Sequence, residues 1–218
     1  MNSSQTRTQA LDTNLDSGFT GQIVHAGDKD YEDLRRVHNG LINRYPGLIL
    51  RCLSTADVLS ALKLGLDEGL EIAVRGGGHN VAGRAVCDDG LVIDLSLMKG
   101  IYTDVNSTTV RVQPGVTWGE FNRETQLHGL ATTGGMISST GVAGLTLGGG
   151  LGALMPKYGL TIDNLRSAQI VTASGTILNA SEHDNEDLFW AIRGGGGNFG
   201  IVTSFEFNLH PVGPMVQG

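Results

Sequence analysis

The sequence predicts an α+β fold of mixed sheets flanked by helices. Between Leu48 and Leu95, short apolar runs alternate with one stretch of helical period. The later half holds a hairpin signal and a cleanly alternating strand, and three glycine clusters fall between the periodic segments rather than within them. With 218 residues the chain can bury a sizeable core in one or two domains.

Met1 to Ser17 is polar with no apolar run, so it reads as a loose tail and neither a secretory leader nor a membrane span. From about Asn43 the chain becomes periodic. Leu48-Ile49-Leu50-Arg51-Cys52-Leu53 is a strand candidate. Ser54 then offers a helix N-cap with Asp57 three residues on, and Val58, Leu62 and Leu66 supply an apolar stripe. Glu71–Val74, Leu91–Leu95 and Thr109–Val112 read as strands, which makes the first half a βαβ-type unit around the first glycine cluster. Thr117 opens a second helix with Phe121, Gln126 and Leu127 on its partly apolar face, ended by Gly129. A glycine-rich segment runs from Gly134 to Gly152. Beyond it, Ala168–Ala173 and Thr176–Leu178 flank Ser174-Gly175, a two-residue turn of hairpin type. Asp184 to Ile192 has the acidic start and the Leu188, Phe189, Ile192 stripe of a helix, and Ile201 to Leu209 alternates as a strand.

Composition narrows the function classes. Glycine accounts for 33 residues, about twice its ordinary share, without a collagen period and with 40% hydrophobic residues, so the glycines are positional. A net charge of −7 without a Lys/Arg cluster argues against nucleic acid and anionic membranes and favours a small-molecule substrate, while the polar N-terminus is expected of a soluble, cytoplasmic protein. Cys52 and Cys87 lack Cys-x-x-Cys spacing and read as buried thiols, a disulfide being the alternative. His25, His38, His128, His183 and His210 show no metal spacing and read as scattered surface histidines; no metal site is expected.

The most informative stretch is Val74-Arg75-Gly76-Gly77-Gly78-His79-Asn80, which follows a strand. Consecutive glycines expose backbone N–H groups and admit close approach, giving an anion nest with an imidazole at its rim. With Gly148-Gly149-Gly150-Leu151-Gly152 and Gly194-Gly195-Gly196-Gly197-Asn198-Phe199-Gly200, one ligand touching all three clusters would be a dinucleotide. A phosphate loop is excluded because Arg84-Ala85 follow Gly83 where Lys and Ser/Thr are required. The G-x-G-x-x-G match at Gly195 to Gly200 has a helix before it and a strand after it, the reverse of the dinucleotide-binding order, and Pro156 follows the looser match at Gly148 to Ala153.

Six ordered motifs instead carry a resemblance: Arg75-Gly76-Gly77-Gly78-His79-Asn80, Val92-Ile93-Asp94-Leu95, Val112-x-Pro114-Gly115, Gly148-Gly149-Gly150-x-Gly152, Tyr158-Gly159-Leu160-x-x-Asp163-Asn164, and the run from Asp187 to Thr203. Together they resemble the two-subdomain, PCMH-type FAD-binding domain of the vanillyl-alcohol oxidase superfamily, and within it the berberine bridge enzyme-like and 6-hydroxy-D-nicotine oxidase-like flavoproteins. The resemblance spans about Asn43 to Pro211. It implies a tail and lead-in over residues 1–42, the FAD-binding domain over 43–213 and a C-terminal end over 214–218.

By this resemblance Gly76, Gly77, Gly78 and Asn80 contact the FAD pyrophosphate, and His79 bonds covalently to the methyl group of the flavin's benzenoid ring. An unprotonated imidazole nitrogen is a competent nucleophile near neutral pH; alone, His79 would read as an exposed loop histidine. The cysteine that forms a second flavin bond in many relatives aligns with Ile137, so one covalent link is expected. Ser138, Ser139, Thr140, Gly141 and Gly144 would line the ribityl chain and ring, with Gly152 in the central glycine motif, and Ile201 and Val202 would meet the adenine end through their backbone. Arg75 and Arg193 either neutralise phosphate or pair with surface carboxylates.

The resemblance implies an FAD-dependent oxidoreductase of oxidase type, transferring a hydride from a small alcohol, amine or carbohydrate. The alternative is a non-catalytic FAD-binding fragment that needs a partner domain; a nucleotide-binding protein unrelated to flavin is a third reading. The antiparallel substrate domain that supplies the base in relatives is expected to be absent, so no catalytic residue is assigned, Tyr158 being the nearest candidate. Exposed apolar surface is then expected, with a homo-oligomer or a partner chain covering it.

Overall fold

The computed structural model describes residues 14–213, so most of the expected N-terminal tail lies outside the described residues. Two compact units divide the chain between Met98 and Lys99. Helices and sheets mix in both, as the sequence predicts.

The first unit contains β1 (Gln22–His25), α1 (Tyr31–Leu34), β2 (Leu48–Arg51), α2 (Thr55–Asp67), β3 (Ile72–Arg75) and β4 (Leu91–Asp94). Its sheet runs β1-β2-β4-β3. β2 and β3 both lie parallel to β4, and β1 is antiparallel to β2. Parallel strands need a crossover between them, and α2 provides it. The Ser54 side chain accepts from the Asp57 N–H, which starts α2 where the sequence places it. Its buried stripe is Val58, Ala61, Leu62 and Gly65; the expected Leu66 is 54% exposed. Eight residues advance a helix well past two turns, so the stripe passes to position 65, where a Cβ would lie 2.6 Å from Ile72 Cδ1. An alanine there would have to push the Ile72 side chain aside. The lead-in before residue 43 is built into this unit: Val24 and Tyr31 pack with Ile49, Ala73, Val86, Cys87 and Val92, and the Tyr31 hydroxyl donates to Pro46 O at 2.8 Å. Cys52 and Cys87 are buried free thiols.

The second unit contains β5 (Ile101–Asp104), β6 (Thr109–Val112), α3 (Trp118–Gln126), β7 (Leu130–Ala131), α4 (Val142–Leu147), α5 (Met155–Tyr158), a 3-10 turn (Thr161–Asn164), β8 (Leu165–Val171), β9 (Ile177–Ser181), α6 (Glu186–Ile192), a second 3-10 turn (Gly196–Phe199), β10 (Ile201–Asn208) and β11 (His210–Pro211). Its main sheet is antiparallel, in the order β5-β6-β10-β8-β9, and β11 pairs with β7. Glu120 accepts from both the backbone N–H and the hydroxyl of Thr117 at 2.8 Å, fixing the start of α3. α3 buries Trp118 and Phe121, which meet Phe207 in tilted and edge-on contacts, with Phe205 stacked on Phe207. All four rings are fully buried, and truncating any one to Ala costs about 3–5 kcal/mol. The expected hairpin forms with a longer turn. Thr172 N–H donates to Thr176 O at 2.9 Å, enclosing three residues, and Gly175 takes the left-handed position at φ +77°.

Candidate cofactor-binding site

In the first unit, the glycine cluster leaves the end of β3, and the chain returns through β4 directly beside it, with Arg75 opposite Asp94 in the ladder. The Asp94 carboxylate turns to Arg51 Nε at 3.5 Å and to the Ser96 N–H at 2.8 Å. Arg75 consequently forms no ion pair among the described residues. Its guanidinium donates to Leu34 O, and its Nε is buried without a hydrogen-bond partner. Gly78 lies over it: φ is +71°, and a Cβ would sit 3.4 Å from Arg75 Nε. A cation that no carboxylate neutralises, beneath a glycine whose backbone only glycine adopts easily, is chemically suited to a phosphate-bearing group.

His79 is half-buried at the rim. Its ring stacks on His38 with centroids 4.0 Å apart and planes 12° apart, and the His38 N–H donates to Gly78 O at 3.0 Å. Asn80 uses its side-chain oxygen within the loop, accepting from the N–H groups of Ala82 and Arg84 at 3.1 Å each. Sequence reasoning read His38 as a scattered surface histidine; a contact between residues 41 positions apart leaves no local signal.

In the second unit, residues 134–141 form an irregular strap along the start of α3. Trp118 N–H donates to Thr140 O and Gly119 N–H to Ser138 O, both at 2.9 Å, while Val142 N–H donates to Val116 O at 2.9 Å. Ser138 and Ser139 are exposed, and Gly141 is buried as the N-cap of α4. Gly144 on α4 is exposed, and a Cβ added there would meet nothing within 4 Å. Ile137 is 57% exposed. The indole N–H of Trp118 and the hydroxyls of Thr132, Thr133 and Thr146 are buried without hydrogen-bond partners, an unusual density of unmet polar groups beside this strap. Gly152 has a packing reason of its own, since a Cβ there would lie 2.0 Å from Gly134 O.

The third glycine cluster also serves packing. A Cβ at Gly195 would meet Ala191 O at 2.3 Å, and one at Gly200 would meet Val171 O at 2.5 Å. Helix α6 before it and strand β10 after it fit the exclusion of a dinucleotide fingerprint. Ile201 and Val202 are buried and pair with β8, whereas β6 pairs only with Phe205–Asn208, so the other edge of Ile201–Val202 lies outside that ladder. Arg193 pairs with Asp163 at 3.7 Å, which favours the surface-pair reading for this residue.

Tyr158 stacks on His210 at 3.9 Å, and His210 Nε2 lies 2.6 Å from Asn164 Oδ1. Burial, followed by the charge of Lys157, pushes the His210 imidazole below its usual range. A polar groove of about 400 Å³ lined by Asp163, Arg166, Glu182, His183 and Glu206 contains none of the predicted site residues. No cluster of three metal-ligating side chains occurs among the described residues, and none of their helices is long and apolar enough to cross a membrane.

A family model described as the FAD binding domain matches residues 46–181. The chain is 42% identical over 190 residues to (R)-6-hydroxynicotine oxidase of Paenarthrobacter nicotinovorans, covering 87% of this chain and 42% of that protein. The crystal structure of 6-hydroxy-D-nicotine oxidase from Arthrobacter nicotinovorans superposes with a TM-score of 0.87 at 41% identity, over 89% of this chain and 43% of the other. Glucooligosaccharide oxidase of Acremonium strictum, described with a 6-S-cysteinyl, 8α-N1-histidyl FAD, has a TM-score of 0.84 at 32% identity, over 96% of this chain and 42% of the other. The chain thus spans less than half the length of these relatives.

Proposed function

The chain belongs to the FAD binding domain family, and from that premise we propose that it is the flavin-holding part of an FAD-dependent oxidoreductase, with FAD bonded covalently through His79. The unneutralised Arg75 beneath Gly78 carries this reading, because it puts a lone cation under a glycine cradle beside an imidazole nucleophile. The pyrophosphate is assigned to Arg75, Gly76, Gly77, Gly78 and Asn80. Ser138, Ser139, Thr140, Gly141 and Gly144 take the ribityl chain and ring, Gly152 shapes the strap beside them, and Ile201 and Val202 offer backbone groups to adenine. Bound FAD supplies a two-electron acceptor for a hydride from a small alcohol, amine or carbohydrate. Ile137 cannot form a thioether, so a single covalent bond is expected. Oxidase and oxidoreductase relatives favour this reading over a non-catalytic flavin-binding fragment.

The test is the absorbance of the purified protein before and after denaturing precipitation. Yellow colour retained by the washed pellet, and released to the supernatant in His79→Ala, supports the assignment. Colour released from the unmodified chain sinks the covalent bond while keeping the cofactor; a chain that takes up no FAD sinks the whole reading.

A further inference from the structure

We infer that His38 is the positioning residue that presents the His79 imidazole for bonding to flavin. The inference rests on the covalent reading of His79. His38 belongs to a segment that backs the glycine loop throughout its length. Leu34 O takes the Arg75 guanidinium, His38 N–H holds Gly78 O, the Asn39 side chain donates to Val81 O at 3.2 Å, and Ile42 fills the space beside Gly83. Within that backing, His38 grips two consecutive residues by different means: Gly78 through the backbone, His79 through ring stacking at 4.0 Å and 12°.

A stacked face leaves the edge of an imidazole available, and the edge carries the nitrogens that form bonds. The His38 ring thus sets the plane of His79 through its face, without itself engaging the nitrogens on the edge. Covalent attachment joins an imidazole nitrogen of His79 to the methyl carbon of the benzenoid ring. One C–H and one N–H bond are broken, both hydrogens leave as protons, and two electrons pass to the flavin. Dioxygen is the oxidant; it takes those electrons and two protons to give hydrogen peroxide. A ring that must find its orientation at each encounter reacts more slowly than one already held.

The chain is prepared free of flavin and incubated with saturating FAD, and covalent incorporation is followed by fluorescence of the denatured band. His38→Ala keeps the backbone N–H to Gly78 O and removes only the ring; incorporation is expected to slow by about 10-fold. His38→Phe restores a flat ring with no nitrogen and is expected to recover the rate to within about 3-fold, a rescue that a general loss of structure would not show. Incorporation at the unmodified rate in His38→Ala overturns the inference. So does a Phe variant as slow as the Ala variant, which would place the role in the imidazole nitrogens instead of the stack. If the unmodified chain binds FAD only reversibly, the covalent reading of His79 fails first and takes this inference with it.

Discussion

The same substitution is expected to act with opposite sign at two glycines of the second unit, Gly152→Ala and Gly144→Ala. At Gly152 the new methyl would lie 2.0 Å from Gly134 O, 2.9 Å from its carbonyl carbon and 3.1 Å from its nitrogen. All three are backbone atoms, so no side chain can swing away. Since ordinary contact begins near 3.4 Å, the two segments must part by about 1.4 Å. Overpacking on this scale costs about 3 kcal/mol, which for a chain of this size lowers Tm by roughly 6–12 °C. Gly144 sits on α4 with empty space around it, and there alanine improves helix propensity by about 0.5–1 kcal/mol, raising Tm by roughly 1–4 °C. Differential scanning calorimetry of the flavin-free variants measures both. FAD titration of Gly144→Ala supplies the second readout, because a methyl facing the flavin weakens binding even as it stabilises the empty chain. An unchanged Tm in Gly152→Ala refutes the packing role of that glycine. A stabilised Gly144→Ala variant with unaltered FAD affinity refutes the assignment of Gly144 to the flavin.

Three further outcomes follow from buried titratable groups. Burial opposes ionisation of Asp57, but the N–H groups of Thr20 and Leu53, at 2.8 and 2.9 Å, together with the hydroxyls of Thr20 and Ser54, outweigh it and hold the carboxyl below its usual range. Its stabilisation is whole above about pH 4 and lost as pH falls through the folded value, and Asp57→Ala should cost about 3 kcal/mol in urea unfolding at neutral pH. His210 is likewise depressed, by burial and by Lys157. The unfolded chain therefore takes up its proton first on acidification, stability falls below about pH 6.5, and His210→Gln should flatten the dependence between about pH 7 and pH 5. Burial raises both thiols, Cys87 to about 11, so a thiol reagent near pH 8 should leave the folded chain unlabelled and modify both residues in denaturant.

Periodicity made α2, β6, α6 and β10 legible, because burial on one side of each leaves a local signature that needs no knowledge of the partner. β1, α1 and β5 escaped for the converse reason. What makes β1 a strand is its pairing with Leu48–Arg51, and only one of its four residues is fully buried, which leaves no local pattern to read. Helix α4 was hidden by glycine, which lowers helix propensity and stands at both its N-cap and its C-cap. The site was legible as motifs but not as geometry. Three glycine clusters resemble one another in sequence, yet Gly78 covers a cation while Gly195 and Gly200 make room for carbonyl oxygens. The His38–His79 stack carried no signal because the two residues meet only once the lead-in folds against the loop.

The strand order of the first unit also sets a timetable. β4 is the last of its four strands to be synthesised, yet it lies between β2 and β3, which have no ladder with each other. Until Asp94 has emerged, β3 has no strand partner, and the glycine loop has only the segment from Leu34 to Ile42 to lean on. Cofactor capture therefore waits for the insertion of a central strand. Once captured, a ligand on that loop braces a strand that is hydrogen-bonded on one edge only, so the amides of Ile72–Arg75 should report its arrival by slowed hydrogen exchange before those of the interior strands.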